Sequence, residues 1–184
     1  SALITPEQCE ALSRLYAEPE RFRSRVVMER HNFGRGEYAY FGSPLPAPVQ
    51  GLREALYEVL APSANRMDVL LGDSADYPSS LKAFLERCHA HEQCRPTPLL
   101  LRYRAGDFNC LHRDRYGEIA FPLQAAVFLS DPQRDYAGGE FVLVENRPRA
   151  QSRARVLRPG QGDLIVFPND RRPVQGARTR LAAR

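Results

Sequence analysis

The segment from Leu101 to Asp114 has the sequence LRYRAGDFNCLHRD and carries the pattern on which the fold assignment depends. Its apolar start is typical of a β-strand, and Ala105-Gly106-Asp107 supplies turn-forming residues. Residues two apart in a strand project from the same face, so His112 and Asp114 can present an imidazole nitrogen and a carboxylate oxygen to one point. A surface histidine beside a solvated aspartate is the alternative interpretation, because HxD alone is a short pattern. With a second histidine, the pair would form the facial triad of a non-haem iron site.

The chain around this segment, from Pro96 onward, alternates short apolar runs with turn residues. These runs lie about 8–12 residues apart with no helical pattern between them, which favours a β-sandwich or barrel over βαβ units. The predicted strands are Leu99–Tyr103, Phe108–Leu111, Ile119–Leu129, Glu140–Val144, Ala154–Leu157 and Asp163–Phe167.

The first half of the chain has a mostly helical pattern. Thr5-Pro6-Glu7 is typical of a helix start, Val49–Leu60 has helical spacing, and Pro78-Ser79-Ser80 indicates a third helix. Two strands joined by a loop are predicted within Arg23–Phe41. We therefore predict a single α+β domain over residues 1–184. In it, residues 1–95 form a mostly helical support packed on a β core of residues 96–184, and this core is expected to be incomplete at its C-terminus.

Several motifs resemble the prolyl 4-hydroxylase-like 2-oxoglutarate/Fe(II) dioxygenases, and they occur in that family's order over about residues 98–184. The first has the spacing Y-x-x-G-x(5)-H-x-D and comprises Tyr103, Gly106, His112 and Asp114. The others are Phe128-Leu129-Ser130-Asp131 followed by Gly138-Gly139-Glu140-Phe141, and the apolar strand within Pro159–Phe167. The stretch Arg172–Gly176 is similar to one found in a bacterial branch of that superfamily.

The resemblance implies a double-stranded β-helix, or jelly roll, with Fe(II) at its open mouth. It implies His112 and Asp114 as metal ligands, 2-oxoglutarate as cosubstrate, O2 as oxidant and ascorbate as a further cofactor. Tyr103 would donate its hydroxyl to the cosubstrate, although a half-buried strand tyrosine is the alternative interpretation. Gly106 would meet a turn requirement rather than contact a ligand.

The chain departs from the family at the distal histidine ligand. No histidine follows His112, and the basic residue that would meet the far carboxylate of 2-oxoglutarate has only Arg178 and Arg180 as weak candidates. Three explanations stay open: the terminal strands lie outside the 184 residues, the ligand has been lost, or a substitute such as Asp170, His31 or a partner chain completes the site.

The sequence thus predicts an Fe(II)/2-oxoglutarate-dependent hydroxylase. The expected substrate is a peptide or protein side chain first and a small metabolite second, and no oligomeric state is predicted. A catalytically inactive jelly-roll binding module is the alternative. Nucleic acid is the least expected substrate. Residues 147–184 do carry ten arginines and two aspartates, a net charge of +8, but no aromatic residues alternate with those arginines to stack bases.

Composition sets the broad class of the protein. Of 184 residues, 43% are hydrophobic and 26% charged, which excludes disordered, collagen-like and coiled-coil chains. No apolar run approaches the roughly 18 residues of a membrane helix, and no signal peptide is visible. The four cysteines, Cys9, Cys88, Cys94 and Cys110, form no CxxC pair. We therefore expect a cytoplasmic protein whose thiols are reduced and buried.

Overall fold

The fold mixes α-helices with antiparallel strands. A computed structural model describes residues 2–74, 76–114 and 117–175, together with the backbone of 180–183. Its α-helices are α1 (Pro6–Arg14), α2 (Ala47–Leu71) and α3 (Leu81–Ala90). Its strands are β1 (Phe22–Val27), β2 (Gly34–Arg35), β3 (Glu37–Phe41), β4 (Leu99–Arg102), β5 (Phe108–Asn109), β6 (Leu123–Val127), β7 (Phe141–Glu145), β8 (Arg153–Leu157), β9 (Leu164–Pro168), β10 (Arg172–Gln175) and β11 (Arg180–Ala183).

Helix α1 begins where the sequence predicts. The Thr5 hydroxyl accepts a hydrogen bond from the Gln8 amide at 3.3 Å, and the Gln8 side chain accepts one from the Thr5 amide at 2.9 Å. This capping box satisfies two amide groups that an open helix end would leave without partners. Pro6 occupies the first turn, where its missing N–H costs nothing.

Helix α2 is longer than the predicted Val49–Leu60. It spans 25 residues, contains Pro62 and ends at Leu71, where Gly72 caps it with a positive φ of 79°. Proline in a helix interior removes one backbone hydrogen bond, yet the helix continues because its buried face also continues. The buried side chains along it are Tyr57, Ala61, Ala64, Met67 and Asp68.

The strands of the described residues form one three-stranded sheet and four two-stranded pairs, all antiparallel. The three-stranded sheet has the order β1-β3-β4, and the pairs are β2–β5, β6–β9, β7–β8 and β10–β11. The predicted mixture of helices and antiparallel strands is confirmed, whereas the jelly roll stays a prediction. The two strands predicted within Arg23–Phe41 correspond to β1 and β3, which share a sheet with β4.

Two apolar clusters hold the helices against the strands. One packs α2 against α3 through Tyr57, Ala61, Leu81, Phe84 and Cys88. Phe121, from the segment before β6, meets the ring of Tyr57 at a tilt and the ring of Phe84 edge-on. The other joins Ile4, Cys9 and Leu12 of the N-terminal segment to Val127 of β6. Both clusters thus hold β6 in place, and β6 carries Gln124, a residue of the candidate site.

The thiols follow the prediction only in part. All four cysteines are free, and Cys9 and Cys88 are buried as expected. Cys94 and Cys110 are exposed, which corrects the expectation of buried thiols, because both lie in surface segments outside the cores. In the described ranges, no helix combines the length and apolarity that a bilayer span requires.

Candidate functional site

His112 and Asp114 converge in the segment that follows β5. Nε2 of His112 lies 3.5 Å from Oδ2 of Asp114, and the two side chains are 49% and 30% exposed. Nδ1 of His112 lies 2.7 Å from the carbonyl oxygen of Cys110. A ring nitrogen that donates to a carbonyl carries a hydrogen, so in the neutral imidazole Nε2 is the nitrogen with the lone pair. The nitrogen suited to a metal is therefore the one that faces the carboxylate.

Gln124 of β6 fixes the carboxylate of Asp114. Its side-chain Nε2 donates a hydrogen bond of 3.0 Å to Oδ2 of Asp114. In metal sites, such hydrogen bonds orient the ligating carboxylate. Sequence reasoning did not find Gln124, because its contact with Asp114 depends on the packing of β6 and not on local spacing.

Arg113, between the two candidate ligands, anchors the same segment to the loop after β9. Its Nη1 lies 3.1 Å from Oδ1 of Asp170, a side chain that is only 17% exposed. Asp170, one of the proposed substitute ligands, therefore meets a guanidinium.

His31, the other proposed substitute, stacks on the ring of Phe33 with centroids 5.3 Å apart. Within the described ranges, no group of three or more His, Cys, Asp or Glu side chains is arranged to hold an ion.

Tyr103 follows β4 and packs against Gly36. A Cβ at Gly36, where φ is +118°, would lie 3.0 Å from Cδ1 of Tyr103, so the ring covers the glycine at van der Waals distance. The hydroxyl is in hydrogen-bond contact with Asn109, three residues before His112. Burial raises the pKa of Tyr103, and the nearby Asp107 carboxylate adds to the increase. The hydroxyl thus stays protonated and able to donate.

Tyr38 is a second tyrosine close enough to Asp114 to feel its charge, and no sequence motif singles it out. It lies on β3 opposite Leu101 of β4. Burial raises the pKa of its hydroxyl, and the Asp114 carboxylate raises it further.

Arg178, proposed to bind the far carboxylate of 2-oxoglutarate, lies outside the described residues. Arg180 begins β11, and its backbone pairs with Gln175, while its side chain lies outside the description.

The residues present fit two positions of an Fe(II) facial site. One imidazole nitrogen of the correct tautomer and one oriented carboxylate oxygen face each other, which is the donor set that non-haem iron takes. A third protein ligand is not found among the described residues.

The described residues leave the pair open to solvent. Two cavities, of about 260 Å³ and 170 Å³, lie elsewhere. The larger is lined by Asp68, Tyr77 and Arg171 among others, the smaller by Tyr136, Gly138 and Glu140, and neither by His112 or Asp114. The candidate ligands are thus reached from the surface.

Comparison with known families matches residues 36–184 to Oxygenase-NA, described as an oxygenase catalysing oxidative methylation of damaged DNA. The match includes Tyr103, His112, Asp114 and Gln124. It supports an oxygenase and does not single out the prolyl 4-hydroxylase-like branch.

Two uncharacterized proteins of Mycobacterium tuberculosis, one from strain CDC 1551 / Oshkosh and one from strain ATCC 25618 / H37Rv, are similar in sequence. Each is 46% identical over 144 residues, covering 78% of this chain and 62% of the relative. The chain therefore spans less than two thirds of the length of these relatives. No solved structure gave a significant match.

Proposed function

Because the chain belongs to the Oxygenase-NA family of oxygenases, we propose that it acts as an Fe(II)- and 2-oxoglutarate-dependent oxygenase in which His112 and Asp114 hold the iron. The observation that carries the proposal is the facing geometry of Nε2 of His112 and Oδ2 of Asp114. The hydrogen bond from Nδ1 to the Cys110 carbonyl selects the tautomer that this role requires.

Each surrounding side chain has a distinct task in this proposal. Gln124 holds one oxygen of Asp114, and Arg113 anchors the ligand segment through Asp170. Tyr103, protonated because burial raises its pKa, donates its hydroxyl to a cosubstrate carboxylate. When bound, iron and 2-oxoglutarate supply the oxidation of an unactivated C–H bond by O2, with succinate and CO2 as coproducts. The chain's residues supply orientation and hydrogen bonding.

The substrate proposed here is damaged DNA, in place of the peptide or metabolite first expected from the sequence. The family description favours DNA, and the openness of the ligand pair to solvent suits a macromolecule better than an enclosed metabolite. Three possibilities stay open for the third ligand in this proposal. A histidine outside the 184 residues supplies it, a partner chain supplies a substitute, or there is no third ligand.

The second candidate function follows if there is no third ligand. A protein with only His112 and Asp114 as ligands would be a catalytically inactive binding module, and the lack of a third ligand among the described residues favours that reading. Two ligands retain Fe(II) poorly, because fewer bonds offset the dehydration of the ion.

The decisive experiment measures 2-oxoglutarate-dependent succinate formation by the purified protein with Fe(II), with and without a methylated single-stranded oligonucleotide. We expect turnover that His112→Ala and Asp114→Ala abolish and that His89→Ala, an exposed histidine of α3, leaves unchanged. Circular dichroism checks that each variant is folded. Turnover that survives both ligand substitutions contradicts the metal assignment. A folded wild-type protein that produces no succinate supports the binding module.

A further inference from the structure

Two phenylalanines are exposed on a short two-stranded ribbon directly before the ligand pair. Phe33 is 47% exposed and Phe108 is 57% exposed. In the β2–β5 pairing, Arg35 lies opposite Phe108, and the Phe33 carbonyl accepts a hydrogen bond of 2.8 Å from the Cys110 amide. We call His31, Phe33, Arg35 and Phe108 the aromatic ribbon.

The ribbon has a closely paired backbone and one stacked pair of rings. Gly34 has a φ of +128°, and a Cβ there would lie only 2.2 Å from the carbonyl oxygen of Phe108, so the two strands pack backbone against backbone. The rings of His31 and Phe33 are stacked, with an interplanar angle of 23°. This stack presents a flat aromatic surface at little further entropic cost, since its side chains are already ordered.

Three arginines lie close to these rings in the sequence. Arg30 and Arg104 are exposed, and neither has an ion pair with any residue that the structure describes. Arg35 pairs with Glu29 at 3.3 Å, yet its side chain is still 58% exposed. Exposed aromatic faces combined with unneutralised arginines are the two features of single-stranded nucleic acid sites, because bases stack and phosphates pair. An apolar peptide would leave the arginines without partners.

The ribbon also lies within reach of the candidate iron ligands. Phe108 precedes His112 by four residues, which at about 3.3 Å per extended residue is about 13 Å at most. With about 3.4 Å between stacked bases, this distance corresponds to about four nucleotides. A strand seated on the ribbon could therefore deliver one unstacked base to His112 and Asp114. Enzymes that modify a base must take it out of the duplex stack or act on a single strand.

We propose that the aromatic ribbon is the binding platform for single-stranded nucleic acid, with bases stacked on Phe33 and Phe108 and phosphates paired with Arg30 and Arg104. The inference rests on the proposed function for the class of substrate, and goes beyond it in naming the surface and the single-stranded form. It also places binding on the ribbon and not on the arginine-rich C-terminal segment. In that segment Arg147, Arg158, Arg171 and Arg172 already form ion pairs.

The test measures fluorescence anisotropy of a fluorescein-labelled 12-nucleotide oligothymidylate, without iron or 2-oxoglutarate. Phe33→Ala and Phe108→Ala are each expected to weaken binding about tenfold, the usual effect of losing one stacking ring. Phe108→Trp should retain binding, and Val59→Ala, a control at an apolar side chain exposed on α2, should bind as the wild type. Arg104→Ala should lower the slope of log affinity against log salt by about 0.7, whereas Arg153→Ala on β8 should not.

Three outcomes would overturn the proposal. The first is unchanged binding by folded Phe33→Ala and Phe108→Ala, and the second is a loss of binding only in Arg153→Ala. The third is a ribbon-dependent dimer in sedimentation, which would make the surface an interface between copies of the chain. Because binding is measured without turnover, this test is separate from succinate formation. If the protein turns over and the ribbon variants bind as the wild type does, the ribbon proposal is rejected and the proposed activity stands. If binding depends on the ribbon but there is no turnover, the proposed activity is rejected and the ribbon proposal stands.

Discussion

Gln124 on β6 donates a hydrogen bond of 3.0 Å to Oδ2 of Asp114, the same oxygen that lies 3.5 Å from Nε2 of His112. A residue distant in sequence thus orients the carboxylate of the HxD pair. The neutral amide can donate to the carboxylate at every pH at which the carboxylate is ionised, so the orientation does not depend on a second titrating group.

We predict that Gln124→Ala weakens metal binding by the protein about tenfold or more, the effect typical of losing a hydrogen bond to a ligand. Isothermal titration with Mn²⁺ as a redox-stable substitute measures it. The matched control is Gln161→Ala, because the Gln161 side chain donates to the carbonyl of Leu129, away from the pair. Equal Mn²⁺ affinity in Gln124→Ala and the wild type would show that this hydrogen bond does not orient a ligand.

Tyr103→Phe should raise the KM for 2-oxoglutarate while changing kcat little. The substitution removes the Tyr103 hydroxyl. Burial raises the pKa of this hydroxyl, so in the wild type it stays protonated and can donate throughout the neutral pH range. A hydrogen bond to a charged group contributes about 1.5–3 kcal/mol, which corresponds to a tenfold or greater increase in KM. Tyr136→Phe serves as the control, because Tyr136 lines the smaller cavity and not the ligand pair. If Tyr103→Phe leaves the KM for 2-oxoglutarate unchanged, the role of Tyr103 is to pack on Gly36 and not to bind the cosubstrate.

Local chemistry explains which parts of the fold could be predicted from the sequence. Thr5 and Gln8 cap α1 by contacts three residues apart, and His112 and Asp114 converge two residues apart. The predicted strand Phe108–Leu111 ends at Asn109, so the pair converges without the strand alternation expected for it. Such signals lie within a few residues, so the sequence displays them directly.

The features that were missed depend on packing between distant segments. Pro62 suggests a helix end, but α2 continues because its buried face continues on both sides. The contacts of Gln124 with Asp114 and of Arg113 with Asp170 join segments 10 and 57 residues apart. The pairing of β10 with β11 was not predicted, because Arg172–Gln175 has little strand-like alternation of apolar and polar residues. No local pattern encodes these contacts.

Glu37→Gln should destabilise the protein at neutral pH and remove part of its acid sensitivity. Burial alone would raise the pKa of Glu37, but the hydrogen bond and charge of Arg102 hold it below its ordinary value. A carboxyl with a lowered folded pKa contributes stability that is fully present above its unfolded pKa and lost as pH falls through the folded one. Because Arg102 is 41% exposed, the contribution is modest, about 1–2 kcal/mol.

Urea unfolding of the wild type and Glu37→Gln between pH 3 and pH 7 measures this effect. The difference in free energy of unfolding between the two should be largest at pH 7 and shrink towards pH 3. Glu86→Gln is the control, because Glu86 and Lys82 form an exposed pair 4.0 Å apart that contributes little. A difference that grows as the pH falls would contradict the assigned direction of the pKa shift.

Two glycine-to-alanine substitutions should change stability in opposite directions. At Gly34, a Cβ would lie 2.2 Å from the Phe108 carbonyl oxygen, and φ is +128°, so Gly34→Ala must separate β2 from β5. We expect a loss of about 2 kcal/mol or more. Gly51 lies inside α2 with no atom within 4 Å of the added Cβ, so Gly51→Ala should gain about 0.5–1 kcal/mol from helix propensity.

Thermal unfolding of both variants measures these changes, with the midpoint lower for Gly34→Ala and higher for Gly51→Ala. Since Gly34 fixes the ribbon that displays Phe33 and Phe108, Gly34→Ala should also weaken oligothymidylate binding at temperatures where the protein is still folded. Gly51→Ala should bind as the wild type, because α2 does not contribute to the ribbon. If Gly34→Ala unfolds at the same temperature as the wild type, β2 and β5 do not approach each other as closely as described. The ribbon then does not hold Phe33 and Phe108 through Gly34.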